Sequence, residues 1–423
     1  MLLTATVCVA AEPPRYKLVG SSSAEAGHAE PGEEVVFTAR LTEKGNGVDG
    51  VPLQLRLHVE GEPVKWIDAI SKAEGNTIKA SRKTPGFIYF YARIADKTLR
   101  KGSRRWSVGV AVQPDKIEQA LPEPKDFDAF WAGEIKKLDA VPIRAERTPV
   151  KPEDERAEPY KDKVDCWRVR IDCAGGRQAF GYLTMPKGAT RGTLPARIIY
   201  PGAGIYAIRP DWDSAAKGFL TLAVNIHGVE PGGTEAELLK KLKDRLYYTA
   251  RGWEDRQTVS FHGGFLRSLR ALQYLKSLPQ WNGKTLVASG ASQGGALALA
   301  MSGLDPDVTF CFAGVPGLCN LAGPKANQTK GWPLNFNLGK PEVVKTTGYY
   351  DNCNFARRIK AEVLVTVGYL DWLCPPSNAW AAYNNIPGKK TMWANPAMGH
   401  GARWRYKEIV ELMRRHAGLA EDK

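Results

Sequence analysis

Leu286-Val-Ala-Ser-Gly-Ala-Ser-Gln-Gly-Gly-Ala-Leu-Ala-Leu-Ala300 is the stretch on which the fold of this chain turns. Leu286 to Ser289 suits a short buried strand, Gly290-Ala-Ser-Gln-Gly294 is a Gly-x-Ser-x-Gly turn, and the small residues after it suit a closely packed helix. That is the layout of a nucleophile elbow. A strand-to-helix turn this tight calls for glycine at 290 and 294, because a Cβ on either flank would clash. It leaves the Ser292 hydroxyl at a helix N-terminus, where developing negative charge is favoured.

An exposed serine becomes a useful nucleophile when a histidine takes its proton and an acid fixes that histidine's tautomer. The elbow fold places the three in the chain order serine, acid, histidine. Only His400 and His416 follow Ser292. His416 lies in the basic helix Met413-Arg-Arg-His-Ala and reads as a solvent-facing side chain. His400 lies on the glycine-rich loop Asn395-Pro-Ala-Met-Gly-His-Gly-Ala402, after a strand-like Thr391-Met-Trp393, and is the candidate base. Asp371 follows the strand Val363-Leu-Val-Thr-Val-Gly368, and loops at the carboxyl ends of sheet strands carry functional groups in open α/β folds. Asp351 competes for the acid's role, but it precedes a helix and reads as its cap.

Two backbone donors are expected for a tetrahedral oxyanion, one after the nucleophile and one from the loop after an earlier strand. Gln293 supplies the first. Ala203, in Pro201-Gly-Ala-Gly204 after the strand Ala196 to Tyr200, is the candidate for the second, although the same stretch also reads as a plain turn. The role given to Gln293 is its N–H, so replacing its side chain with Ala is expected to lower turnover about tenfold or less.

Outward from the elbow, strands alternate with helices: Trp167–Ile171, Gly181–Met185, Ala196–Tyr200, Leu220–Ile226, Thr285–Ser289 and Val363–Val367. This rhythm predicts an α/β domain with a doubly wound, mostly parallel sheet covered on both faces. Before it, Glu34–Leu41, Val51–Val59, Gly86–Arg93 and Trp106–Val112 are short runs of β character separated by turn residues such as Gly45-Asn-Gly and Asp49-Gly. They predict an immunoglobulin-like β-sandwich over residues 12–114. The proline-bearing, charged stretch Pro114 to Lys125 marks the boundary, and the α/β domain is read as 115–423, opening on a helix that Asp126 is placed to cap.

The chain has 423 residues, too many for one ordinary domain, and a globular composition with 43% hydrophobic and 25% charged residues. No apolar run approaches the roughly 20 residues that span a bilayer, so a transmembrane protein is excluded. Residues 1–11 resemble the apolar end of a secretory signal with small residues suited to cleavage before Glu12, although the basic segment that normally precedes it is missing. Export to the periplasm or outside the cell is therefore expected. Seven cysteines include no C-x-x-C pair, and neither a metal framework nor a disulfide framework is predicted; Cys311, Cys319 and Cys374 read as buried thiols. The formal charge of +14 suits a polyanionic partner such as an acidic glycan. The basic residues are scattered rather than clustered with aromatics, which argues against nucleic acid.

From Phe127 onward the chain resembles the acetyl xylan esterase and cephalosporin C deacetylase family. The resemblance is carried by Asp126-Phe-Asp-Ala-Phe-Trp, Gly290-Ala-Ser-Gln-Gly-Gly-Ala-Leu-Ala, Asn354-Phe-Ala-Arg, Gly368-Tyr-Leu-Asp-Trp-Leu-Cys-Pro-Pro-Ser377 and Ala381-Ala-Tyr-Asn384. It implies an α/β-hydrolase that removes acetyl groups from sugars and small molecules, with Ser292, Asp371 and His400 as its triad, Gln293 and Ala203 as oxyanion donors, and no metal or organic cofactor. It also implies self-association as a homo-oligomer, usually a ring-shaped hexamer, which the added N-terminal module would block or rearrange. Three positions depart from the family. His227-Gly-Val229 stands for Arg-Gly-Gln, His400-Gly401 for His-Glu, and the loop at Ala203 lacks the tyrosine that follows His-Gly.

The function expected from this combination is an exported serine esterase acting on an acetylated carbohydrate. A catalytically weak carbohydrate-binding or scaffold protein is the alternative from another class, and the intact serine, acid and histidine set argues against it. A peptidase or longer-chain lipase on the same fold is the third reading, and acetyl, butyryl and octanoyl p-nitrophenyl esters separate the three.

Overall fold

A computed structural model of the chain describes residues 14–100, 105–151, 157–204, 208–241, 247–401 and 404–419. The expected signal segment, residues 1–11, lies outside them. The chain divides into two compact units, Met1–Pro114 and Asp115–Lys423. No helix among the described residues is long and apolar enough to cross a membrane.

In the first unit, strands Tyr16–Ser22, Val35–Glu43, Asn46–Gly47 and Asn76–Ala80 form one sheet. Strands His28–Ala29, Trp106–Val112, Gly86–Ile94, Pro52–Val59 and Lys65–Ile70 form another, in that order. Alternation sets the inner face: Leu53, Leu55 and Leu57 are buried, as are Val35, Phe37, Ala39 and Leu41, while the residues between them are wetter. Side chains from both sheets share one core, and Phe37 stacks on Phe90 with ring centroids 5.3 Å apart. The strands Lys65–Ile70 and Asn76–Ala80 have no run of buried apolar positions, and sequence pattern does not mark them.

The second unit is built on one nine-stranded sheet. Its strands are β1 (Ala145–Pro149), β2 (Val164–Cys173), β3 (Arg177–Pro186), β4 (Leu194–Tyr200), β5 (Leu220–Asn225), β6 (Trp281–Ala291), β7 (Phe310–Gly314), β8 (Glu362–Gly368) and β9 (Lys390–Asn395). They lie in the order β1-β2-β3-β5-β4-β6-β7-β8-β9. The first three join antiparallel, and every pairing from β5 through β9 is parallel. This is the α/β fold predicted, extended by an antiparallel flank at its first edge. The parallel strands β5, β7 and β8 are almost continuously buried, as strands covered on both faces must be.

Five helices matter for the site or its support: α1 (Phe127–Asp139), α2 (Ser260–Ser277), α3 (Gln293–Leu304), α4 (Pro376–Asn384) and α5 (Tyr406–His416). α3 is buried from Gln293 to Ser302, because its glycines and alanines let it sit close to the sheet. α5 buries Ile409, Met413 and Arg414, and the first two pack against Phe219, Val287, Phe310, Phe312 and Leu364. α1 is fastened to α2 by the buried pair Glu134 and His262, whose Oε2 and Nε2 are 2.8 Å apart.

Two local expectations are corrected. Asp126 precedes α1, but its side chain makes no cap bond. Arg256 and then Tyr349 take its carboxylate instead and hold its pKa down at about 2. His416 is not solvent-facing: its Nε2 lies 3.0 Å from Thr309 Oγ1 and its ring packs on Phe310, so it closes the bottom of α5. Asp351, by contrast, is the helix cap it was read as, accepting from Cys353 N at 2.9 Å.

Asp351 does more than cap. Its carboxylate also accepts from Asn320 N at 2.8 Å and Leu321 N at 2.6 Å, within buried surroundings. Removing it strands three backbone donors, each a loss of roughly 1–3 kcal/mol. Asp351→Ala is therefore expected to lower stability by about 3 kcal/mol or more, with Asp351→Asn intermediate. Urea melts of the three proteins check this, and coincident midpoints would remove Asp351 from the support of this loop.

Candidate active site

The carboxyl ends of the central strands meet at one level. Tyr200 of β4 pairs with Gly290 of β6, and Ala291 of β6 pairs with Gly314 of β7. Chain direction must then reverse sharply into α3, and Ser292 does so at φ 59° and ψ −120°. That left-handed backbone is unfavourable for a residue with a Cβ and is held from three sides. Ser292 N donates to Gly314 O at 2.8 Å, and Ser292 O accepts from Ala296 N at 3.0 Å and Gly317 N at 3.1 Å. The flanking glycines are compelled by contact: a Cβ on Gly290 would lie 2.4 Å from the Gly294 carbonyl carbon, and one on Gly294 would lie 2.3 Å from Tyr200 O.

The structure brings Ser292, His400 and Asp371 together. Ser292 Oγ lies 3.0 Å from His400 Nε2, and His400 Nδ1 lies 2.7 Å from Asp371 Oδ2. A carboxylate only accepts, so Nδ1 carries the hydrogen and Nε2 is left as the acceptor for the serine proton. Asp371 is buried, and its other oxygen accepts from Leu373 N and Cys374 N, both at 2.9 Å. The His400 side chain remains 29% exposed, open to solvent on one side. Its loop is tied to the end of β8 by Leu370 N donating to Met398 O at 2.8 Å and Tyr369 N to Asn395 O at 2.9 Å.

Ser292 opens onto a cleft of about 750 Å³, whose walls include Pro201, Gly202, Ile208, Arg209 and Tyr406. Cys374 lies beside the triad, and burial pushes its thiol well above the usual range. Among the described residues, Asp371, Cys374 and His400 are the grouping with metal-ligand types, their donor atoms within 4.8 Å of one another. Two of the three, Asp371 and His400, hydrogen-bond to each other.

Gln293 departs from expectation. Its side chain is fully buried rather than incidental. Oε1 accepts from Tyr248 Oη at 2.5 Å, and Nε2 donates to Gly202 O at 3.2 Å. Tyr248 Oη in turn accepts from Gly204 N at 3.4 Å. His227 Nε2 sits 3.1 Å from Gly204 O, where the carbonyl can only accept and Nε2 must carry the hydrogen. The His227 ring also meets Tyr248 edge-on, centroids 4.8 Å apart. Ala203 is thus held between two residues whose backbone is clamped by Gln293, Tyr248 and His227. Sequence reasoning singled out His227 only as a family departure and did not reach Tyr248, which has no motif of its own.

Comparison with known proteins bears on the same residues. The profile of the family described as acetyl xylan esterase (AXE1) matches residues 115–329 and 335–415. The chain belongs to this family. It is 35% identical over 328 residues to the acetyl esterase Axe7A of Xylanibacter ruminicola, covering 75% of this chain and 71% of that one. Two solved structures share its fold. The acetyl xylan esterase from Paenibacillus sp. R4 matches 73% of this chain and 99% of its own length at 26% identity and a TM-score of 0.58. Acetyl xylan esterase 1 from Thermoanaerobacterium sp. JW/SL YS485 matches 72% and 98% at 25% identity and the same TM-score, 0.58. The chain is accordingly a carboxylic-ester hydrolase of the α/β-hydrolase fold, and the family match includes Ser292, Asp371 and His400 while leaving residues 1–114 outside it.

The clamp around Ala203 yields a measurable expectation. Tyr248→Phe removes one hydroxyl that serves both Gln293 and Gly204, and is expected to lower kcat on p-nitrophenyl acetate about tenfold with little change in KM. Gln293→Ala, which strands Gly202 O and Tyr248 Oη together, is expected to exceed that loss. Steady-state kinetics on folded variants check both, and a Tyr248→Phe enzyme with wild-type kcat would show the clamp to be dispensable.

Proposed function

We propose that this enzyme removes O-acetyl groups from acetylated xylan or related polysaccharides and oligosaccharides, through an acyl-enzyme on Ser292. The observation that carries the reading is the continuous hydrogen-bonded line from Ser292 Oγ through His400 to Asp371, at 3.0 and 2.7 Å. In the first half-reaction His400 Nε2 takes the serine proton as Oγ bonds to the acetyl carbonyl carbon. The sugar oxygen leaves with that proton, and acetate stays esterified to Ser292. Water then attacks by the same route, its proton passing to His400, and acetate is released with Oγ protonated again. Asp371 keeps the ring oriented and offsets the imidazolium charge.

The carbonyl oxygen gains charge at each tetrahedral stage. The Gln293 N–H, at the free N-terminus of α3, and the Ala203 N–H are assigned to it. The clamped loop supports this assignment, because an oxyanion donor acts through being fixed before the charge develops. Polymeric substrate and the apolar first eleven residues both suit an exported enzyme. Deacetylation of xylan is favoured over other acyl transfers by the family and by relatives whose names are those of acetyl and acetyl xylan esterases.

The test joins chemistry to substrate. Ser292→Ala and His400→Ala are each expected to lower acetate release from acetylated xylan by roughly a thousandfold or more, and the double variant to lose no more than either alone. A fluorophosphonate is expected to add its mass to the peptide holding Ser292 in the wild type. Near-normal turnover in Ser292→Ala, or labelling elsewhere, would overturn the mechanism. Faster hydrolysis of octanoyl than acetyl esters would overturn the deacetylase reading while leaving the triad intact.

A further inference from the structure

The cleft beside Ser292 has a neighbour. Tyr406, the first residue of α5, belongs to the wall of that cleft and also to the wall of a second cavity, of about 530 Å³. The chain before β5 joins the two in the same way: Pro210 and Asp211 line the first, while Asp213 and Lys217 line the second. The two hollows therefore adjoin, with α5 on one side and residues 210–217 on the other. Packing holds these walls together. Phe219 shares a core with Ile409 and Met413, and a Cβ on Gly218 would lie 3.0 Å from Leu419 Cδ2.

Tyr406 is fixed at the junction from its backbone. Arg405 before it takes a left-handed φ of 56°, stands its guanidinium 3.9 Å from the centroid of the Trp393 ring, and accepts at its carbonyl from Ile409 N at 3.0 Å. Tyr406 is nonetheless 53% exposed. An aromatic face between two hollows suits a ligand with flat, partly apolar faces and a polar rim, as a sugar ring has. The second cavity is polar without being one-sided: among the described residues of its wall three are acidic and four basic. Asp213 Oδ2 lies 3.2 Å from Lys217 Nζ, and Glu411 Oε2 lies 3.3 Å from Arg414 Nη1. Tyr160 Oη donates to Asp213 Oδ1 at 3.4 Å. Charges paired in this way favour no single ion, but they set acceptors beside donors. A hydroxyl both donates and accepts, so a row of hydroxyls matches such a wall.

We propose that the second cavity is a subsite for a neutral, hydroxyl-rich sugar, the neighbouring unit of the chain whose acetylated unit lies at Ser292, with Tyr406 as the platform between the two. The inference rests on the deacetylase reading above. A volume of about 530 Å³ has room for one sugar ring. Contacts made there are available to oligomers and polymers and denied to a single sugar. Binding energy from such a remote part of the substrate serves to hold the reacting part in place, so it raises turnover as well as affinity. The enzyme then favours acetyl groups carried on chains over those carried on one sugar.

The experiment compares kcat/KM for acetate release from xylotetraose and from xylose, each acetylated at the same hydroxyl. The wild type is expected to favour the tetramer about tenfold, the change that one hydrogen bond to a charged group produces. Tyr406→Ala is expected to bring that ratio to near one and Tyr406→Phe to keep it. Asp213→Ala, at a side chain 50% exposed, is expected to lower it as well. A residue that only supported the fold would slow both substrates alike and leave the ratio where it was. Equal kcat/KM on the two substrates in the wild type, or a ratio that either alanine variant leaves unchanged, overturns the proposal. Isothermal calorimetry of the wild type with unacetylated xylotetraose and D-xylose gives a readout independent of turnover. The tetramer is expected to bind about tenfold more tightly, and xylose binding as tightly as the tetramer overturns the subsite. Absence of acetate release from either substrate would fail the deacetylase reading instead, with the calorimetry still deciding the cavity.

Discussion

Everything at this site depends on one backbone residue held where it would not rest by itself. Ser292 sits at positive φ only because its N–H reaches the last residue of β7 and its carbonyl is taken from two directions. Such strain costs roughly 1–3 kcal/mol and survives where the surroundings over-determine it. The surroundings are unusually committed here. The loop after β7 itself carries Val315, Leu318 and Asn320 at positive φ, and Gly317, which binds the Ser292 carbonyl, lies within it. Asp351 then pins the end of that loop through Asn320 and Leu321. A carboxylate far along the chain thus helps to hold the turn at Ser292 without touching it.

The two sides of the serine are built on different principles. On the His400 side, a buried carboxylate with several donors faces a ring left open to solvent. On the Ala203 side nothing titrates in the proposed chemistry, and the structure invests in side chains that immobilise carbonyls and amides. Gln293 links the sides. Its backbone begins the helix behind the serine, while its carboxamide reaches across to the loop after β4.

The sequence made the sheet legible wherever apolar runs were unbroken, and the meeting of Ser292, Asp371 and His400 legible because elbow, chain order and strand ends constrain three residues independently. It hid what has no pattern. β1 reads Ala-Glu-Arg-Thr-Pro and is mostly exposed, and β7 is only five residues long. Tyr248 and His227 act on Gly204 from distant segments, a convergence that no local spacing encodes. Asp126 had the form of a cap, but Arg256 and Tyr349, remote in sequence, offer its carboxylate charge-assisted bonds that two backbone amides do not match. The Gln293 side chain was out of reach for a related reason. Its backbone role was visible in the motif, and the fate of its side chain was set by a loop about ninety residues earlier.

The six described cysteines are all free and all buried. Burial pushes Cys166 and Cys311 up to about 12 and raises Cys173, Cys319, Cys353 and Cys374 as well. Thiol reagents attack the thiolate, so these groups are doubly shielded, by access and by protonation. Their labelling must wait for the surrounding structure to open, and its rate becomes a clock for local unfolding, readable residue by residue. With Cys8 set aside, every thiol lies beyond Asp115. Alkylation would therefore time the breathing of the hydrolase unit alone, while the sheets before it remain chemically silent.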